Sequence, residues 1–233
     1  IFGKMINQTI AIIQARTGSK RLPGKIFMNL NDKPLIWWVI SRLKRVKELD
    51  NIIVATTKKK EDDKLINWLK KNKINYFRGS SKNVLLRYYQ CAKKFKGKII
   101  VRITADDPLK DSSIISKLIK IFKKKNLDYV SNTLEPTYPI GLDAEVFSFE
   151  TLKSMNHFAK TNFDKEHVTQ FLIRNQNKFK VMNTEYKENL SKLRLTIDTK
   201  KDYLNLQKFF IKYIKNHNVS LKKLIKNIKI FYK

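Results

Sequence analysis

Short apolar runs alternate with amphipathic stretches along the first half of this chain, and that alternation limits its fold more than any other feature. "TIAII", "NIIVATT", "INYF" and "KIIVRIT" read as buried strands. "KPLIWWVISRLKRV" sets Leu35, Ile36, Val39, Ile40 and Leu43 at helical spacing, and "VLLRYYQCAKKF" puts Val84, Tyr88, Cys91 and Phe95 on one helical face. "EDDKLINWLKKN" carries acids in its first turn, where the helix dipole favours them. "SSIISKLIKIFKKK" opens at a cap supplied by Asp111 or Ser112. Strands alternating with helices of this length require βαβ crossovers, which predicts an α/β, Rossmann-like domain with a mainly parallel mixed sheet flanked by helices.

The second half is less regular. "DYVSN" and "LDAEVFSF" read as strands joined by "TLEPTYPIG", "FDKEHVTQFLIRNQ" as a helix, "FKVMN" and "LRLTI" as strands, and two helices close the chain. An irregular excursion around 131–165 interrupts the pattern. With no repeat, low-complexity linker or composition break, one domain over 5–233 is expected. Met5 is read as the natural start, with Ile1–Lys4 left over from cloning.

At 233 residues and 42% apolar content the chain has material for a large core and is not disordered. Its single cysteine, Cys91, forms no internal bridge and suits a reducing compartment. No apolar run approaches the ~18 residues that span a bilayer, and no signal peptide is read at the start. A soluble, cytoplasmic protein with no membrane partner is expected. The formal charge of +30 raises the alternative of a basic RNA-binding module. Lysines, however, are scattered over every predicted helix face and are not interleaved with aromatics as a single-strand platform needs. No nucleic-acid partner is expected; a general pull on anionic substrates is.

In an open α/β sheet, ligands sit beyond the carboxyl ends of the strands. After the first strand comes "QARTGSKRLPGK", in which Arg16, Lys20, Arg21 and Lys25 supply charge and two glycines let backbone N–H groups approach phosphate oxygens. This is not a Walker A loop, because Gly18 and Gly24 bracket five residues and Ile26 follows Lys25. Arg78-Gly79-Ser80 follows the third strand, Ala105-Asp106-Asp107-Pro108 the fourth, and Asp198-Thr199 follows "LRLTI". Cations for phosphate and carboxylates for a metal thus fall at one edge. Asp107 is the weaker carboxylate candidate, since it is free to face away.

"AIIQARTGSKRLPGK", "FRGSSKNVLLRYYQCA", "VRITADDPLKD", "YPIGLDAEVF", "KEHVTQF" and "LRLTIDTKKDY", in that order, resemble the cytidylyltransferase superfamily. The likeness is to the SpsF-like branch of spore coat polysaccharide biosynthesis, related to the CMP-sialic-acid and CMP-Kdo synthetases. The resemblance implies transfer of CMP from CTP to an acceptor oxygen with release of pyrophosphate, in surface polysaccharide biosynthesis. It makes the acceptor a sugar acid or a phosphorylated or phosphonate-bearing compound. It implies that Arg16, Lys20 and Lys25, with Asp106, carry the catalysis, and that Asp106 and Asp198 hold Mg²⁺. Nucleotide contacts would come from Gln14, Ala15, Arg16, Thr17, Gly18, Ser19 and Lys25. Arg78, Gly79, Ser80 and Arg87 fit the cytidine-contacting region, joined by Thr104 and Ala105. Many relatives carry acids near Asn83 and Leu86, so this chain departs from the pattern there. The acceptor would meet Tyr138, Asp143, Glu145, Glu166, His167 and Arg194, of which Asp143 and Glu145, two apart on a strand, share a face. The excursion around 131–165 is commonly a dimerisation arm in relatives, which implies a homodimer. A nucleotide-sugar glycosyltransferase of similar fold is the alternative; it typically carries D-x-D, whereas these aspartates are adjacent.

Overall fold

The computed structural model describes residues 8–232, so the expected start at Met5 lies outside the described residues. β1 (Thr9–Gln14) leads through a loop to the short hairpin strands β2 (Asn29–Leu30) and β3 (Lys33–Pro34) and to α1 (Leu35–Leu43). β4 (Asn51–Thr57), α2 (Asp63–Lys71), β5 (Asn75–Gly79), α3 (Val84–Lys94), β6 (Ile99–Thr104) and α4 (Ser112–Lys125) continue the alternation. Then come β7 (Tyr129–Ser131), β8 (Glu145–Ser148), α5 (Phe149–Phe158), α6 (Asn162–His167), α7 (Gln170–Arg174), β9 (Val181–Asn183), α8 (Lys200–Tyr213) and α9 (Leu221–Phe231).

The main sheet has the order β5-β4-β1-β6-β8-β7-β9. β1 pairs in parallel with both β4 and β6, so the chain winds outward in one direction from β1 and then returns to its other side. Their carboxyl ends form the switch point where open α/β sheets bind ligands. β8 runs antiparallel to both β6 and β7, so its first residue, Glu145, sits opposite Arg102 near the same rim.

Alternation along β1 divides the core in two. Ala11 and Ile13 pack with α1, α2, α4, α8 and α9, while Ile10 and Ile12 pack with α3, α5 and α7. Tyr88 Oη donates to the carbonyls of Ile12 and Ile103 at 3.1 and 3.2 Å, tying α3 under the two central strands. Cys91 is fully buried on the same helix, and burial pushes its thiol up to about 12. The thiolate is the reactive form, so the folded protein should react with a thiol reagent at pH 8 ~10²-fold or more slower than the unfolded one. Fast labelling under native conditions would mean that α3 opens.

On the opposite face Arg42 is 1% exposed, and burial lowers its guanidinium to about 10 against the pull of Asp111. It donates to the carbonyls of Lys110, His217 (3.0 Å) and Val219 (3.3 Å) and to Asp111 Oδ2 at 3.1 Å. Asp111 in turn caps α4 through the N–H groups of Ser113 and Ile114.

The second half corrects the sequence reading in three places. The supposedly irregular excursion contains α5, opened by a Ser148 cap that accepts from Thr151 N, and α6, opened by Thr161. The single helix predicted over "FDKEHVTQFLIRNQ" is broken at Val168, whose φ of 63° ends α6 before α7 starts. "LRLTI" is not a strand; only Arg194 forms a bridge, to Ile140.

Candidate functional site

The loop after β1 is shaped by a buried carboxylate that the motif search passed over. Asp62, fully buried, accepts from Thr17 N and Thr17 Oγ1 at 2.7 Å each, from Thr57 N at 3.2 Å and from Thr57 Oγ1. Burial alone would raise its pKa, but these donors together hold it below the usual carboxylate range. The Thr17 carbonyl then takes the N–H groups of Ser19 and Gly24, each at 2.9 Å, which curls the loop back on itself. Gly24 makes this possible, sitting at φ 69° in the left-handed region, while Gly18 packs against the exposed end of the Glu61 side chain.

Across the rim the loop meets both separated aspartates. Lys25 Nζ lies 3.0 Å from Asp106 Oδ2, 3.3 Å from Asp198 Oδ1 and 2.7 Å from the Ile197 carbonyl. Arg21 Nη2 is 2.7 Å from Asp198 Oδ1. Segments remote in sequence therefore converge on one cationic nitrogen. Burial, and then the neighbouring Asp107, raise the Asp106 carboxyl above its ordinary range, with Lys25 opposing them. Asp107 goes the other way. It turns into the protein, and against burial Lys110 and the Thr104 and Thr196 hydroxyls hold it below the ordinary range. Adjacent carboxylates are thereby driven apart in character, one facing the rim and one serving the core.

A cleft of about 720 Å³ opens over this rim. Gln14, Ala15, Arg16, Ser19, Lys20, Lys25, Arg87, Thr104, Ala105, Asp106 and Asp198 line it, as do Glu166 and His167. Gln14 Oε1 and Arg87 Nε are buried there without a hydrogen-bond partner among the described residues. Lys82, Arg102 and Lys165 also line the cleft and were not singled out in the sequence. Their signal was lost among many other lysines and, for Arg102, inside a strand.

Other predicted residues lie elsewhere. Thr17 and Gly18 do not line the cleft; they form the anchored back of the loop. Arg78 ends in an ion pair with Asp63 at 2.6 Å and donates to the carbonyls of Thr57 and Lys59. Gly79 and Ser80 act through Arg87: a Cβ on Gly79 would lie 2.8 Å from Arg87 Cγ, and Arg87 Nη1 donates to the Ser80 carbonyl at 2.6 Å. Tyr138 is buried, with its ring against Tyr186. Arg194 is drawn to Asp198 at 2.8 Å and Asp202 at 3.1 Å, behind the rim.

A second, smaller cleft of about 280 Å³ adjoins the first and shares Arg102, Thr104 and His167 with it. Asp143 and Glu145 line it together, although only Glu145 belongs to β8. Glu145 is 7% exposed and accepts from Arg102 Nη1.

Comparison with known proteins bears on this pair of clefts. The cytidylyltransferase family profile, described as "Cytidylyltransferase", matches residues 10–233. The spore coat polysaccharide biosynthesis protein SpsF of Bacillus subtilis is 31% identical over 227 residues, covering 94% of this chain and 93% of that one. A solved cytidylyltransferase from Leptospira borgpetersenii superposes with a TM-score of 0.91 at 35% identity, over 96% of this chain and 94% of that chain. A CMP:2-keto-3-deoxy-manno-octonic acid synthetase complexed with CTP shares the fold, with a TM-score of 0.69 at 15% identity over 88% and 99% of the two chains.

Proposed function

The chain belongs to the cytidylyltransferase family and is a CTP-dependent nucleotidyltransferase, and from that premise we propose that it transfers CMP from CTP to an oxygen of a small acceptor, releasing pyrophosphate. The likeness to SpsF supports a place in surface polysaccharide biosynthesis. The observation that carries the mechanism is the convergence of Asp106 and Asp198 on one cation position beside the glycine loop.

The larger cleft holds the nucleotide. Backbone N–H groups of the loop, with Arg16, Lys20 and Lys25, receive the triphosphate, and Arg87 and Gln14 offer unpartnered polar atoms to the nucleoside. Asp106 and Asp198 fit Mg²⁺. They already bracket an ammonium nitrogen, that of Lys25. Mg²⁺ commonly takes one or two carboxylates and completes its shell with phosphate and water. Bound there, it would neutralise phosphate charge and polarise the α-phosphorus. The chain's own part is to orient the triphosphate, keep Asp62 gripping the loop, and bring the acceptor in from the adjoining cleft, where Asp143, Glu145 and His167 meet it, with Glu166 on the side of the larger cleft.

Thermal stabilisation by CTP with Mg²⁺ should exceed that by UTP, ATP or GTP, because a ligand bound only to the folded state stabilises it by mass action. Equal or greater stabilisation by UTP would instead favour a nucleotide-sugar glycosyltransferase.

A further inference from the structure

Lys25 and a divalent cation claim the same position at the rim. An ammonium group has three protons to donate, and at Lys25 all three find acceptors: the Ile197 carbonyl at 2.7 Å, Asp106 Oδ2 at 3.0 Å and Asp198 Oδ1 at 3.3 Å. The side chain is only 12% exposed, so these contacts are little screened by water. The bracket around it is fixed. Ile197 N and Thr196 Oγ1 both donate to the Asp106 carbonyl, at 3.0 and 3.4 Å, which locks the two acid-bearing segments together. Asp198 Oδ2 is held by Arg194 Nη2 at 2.8 Å. Arg21 also reaches Asp198 Oδ1, but from the solvent side, with its own side chain 66% exposed.

A dication ligated by Asp106 Oδ2 and Asp198 Oδ1 would be forced against the ammonium nitrogen that those two oxygens already share. Like charges at contact distance, partly withdrawn from water, repel strongly. Mg²⁺ also gives up its water reluctantly and relies on substrate phosphates to complete its shell. Lys25 must therefore leave before the metal can enter, and with every proton engaged it leaves only for other acceptors. Triphosphate oxygens are such acceptors, and Lys25 lines the cleft that would receive them.

Building on the cytidylyltransferase reading, we propose that Lys25 is a place-holder for the divalent cation: its ammonium neutralises Asp106 and Asp198 in the nucleotide-free protein and crosses to the phosphates when CTP seats. The metal then enters with the nucleotide and not ahead of it. No covalent bond changes in this exchange; the ammonium trades carboxylate oxygens for phosphate oxygens. Lys25 thereby sets the order of assembly as well as gripping the triphosphate.

Mn²⁺ alone, titrated into the nucleotide-free full chain and followed by the loss of its solution EPR signal, tests this. Lys25→Met should bind Mn²⁺ ~10-fold or more tightly than the parent, because it removes the competing cation and leaves both carboxylates. Elsewhere a chain of formal charge +30 repels cations, which keeps background binding low. Adding Asp106→Asn to Lys25→Met should abolish the gain, since the metal then loses one side of its bracket. A smaller gain, weaker binding, or a gain that survives Asp106→Asn overturns the proposal. Should Lys25→Met fold poorly, Lys25→Gln keeps an N–H donor for the Ile197 carbonyl and takes its place, with the same gain expected. These titrations contain no nucleotide, so a UTP preference in the melting comparison would strike the cytidylyl reading and leave the Mn²⁺ affinities readable.

Discussion

Asp106→Asn should lower kcat ~10²-fold or more while the protein melts no earlier than the parent, because the amide keeps the shape of a metal ligand but not its charge. The two halves of that expectation have separate physical sources. In the proposed mechanism, turnover depends on the Asp106 carboxylate because it would hold the divalent cation that compensates phosphate charge in the transition state. Stability does not depend on it, since burial and the neighbouring Asp107 already disfavour the charged form of Asp106. A neutral side chain relieves that repulsion, so the melting temperature should hold or rise, as expected where activity is maintained against local stability. Steady-state pyrophosphate release and a thermal melt on the same preparation measure both. Near-normal turnover would remove Asp106 from its assigned role, and a cooperative loss of folding would make it a structural residue.

Arg42→Met should cost about 3–5 kcal/mol of folding stability, measured by urea or guanidinium unfolding. The side chain is buried, with Asp111 and three backbone carbonyls as its partners. Removing it strands a buried carboxylate and unpairs the carbonyls of Lys110, just before α4, and Val219, in the turn between α8 and α9, while Arg45 still donates to His217. Methionine fills much of the volume, so the loss would be polar and not a cavity effect. A double-mutant cycle with Asp111→Asn separates the pair from the carbonyl contacts. A loss below about 1 kcal/mol would show that the turn between α8 and α9 readjusts and that the clamp is not structural.

The first half of the fold was legible because each strand and helix there is long and strictly patterned, and every predicted element from β1 to α4 is present. The second half was harder for local reasons. The α5 segment "FETLKSMNHF" has few apolar residues, and its Ser148 cap lies at the end of a run read wholly as strand. The break at Val168 could not be foreseen, since a β-branched residue is a poor candidate for positive φ. "LRLTI" has the apolar alternation of a strand but makes only one bridge.

At the site, the glycine loop and Asp106 follow β1 and β6 as read, whereas Asp198 reaches the same rim from an irregular segment that was read as a strand. The same rule misplaced Arg78, because Arg78 and Gly79 belong to β5 itself and Asp63 captures the guanidinium. Asp62 was invisible for a different reason. In "KKKEDDKL" it reads as one more first-turn acid, and only the fold carries it beneath Thr17.

The reversal of β8 has a consequence for how such a protein diversifies. In the proposed function, strands that end at the rim hand their exits to the nucleotide, whereas β8 begins there, so the incoming stretch that holds Asp143 and Ala144 helps furnish the neighbouring chamber. The two chambers then draw part of their lining from different stretches of chain, although Arg102, Thr104 and His167 belong to both. Changes along one inbound segment can retune what is decorated, while the outbound segments go on dictating what is spent.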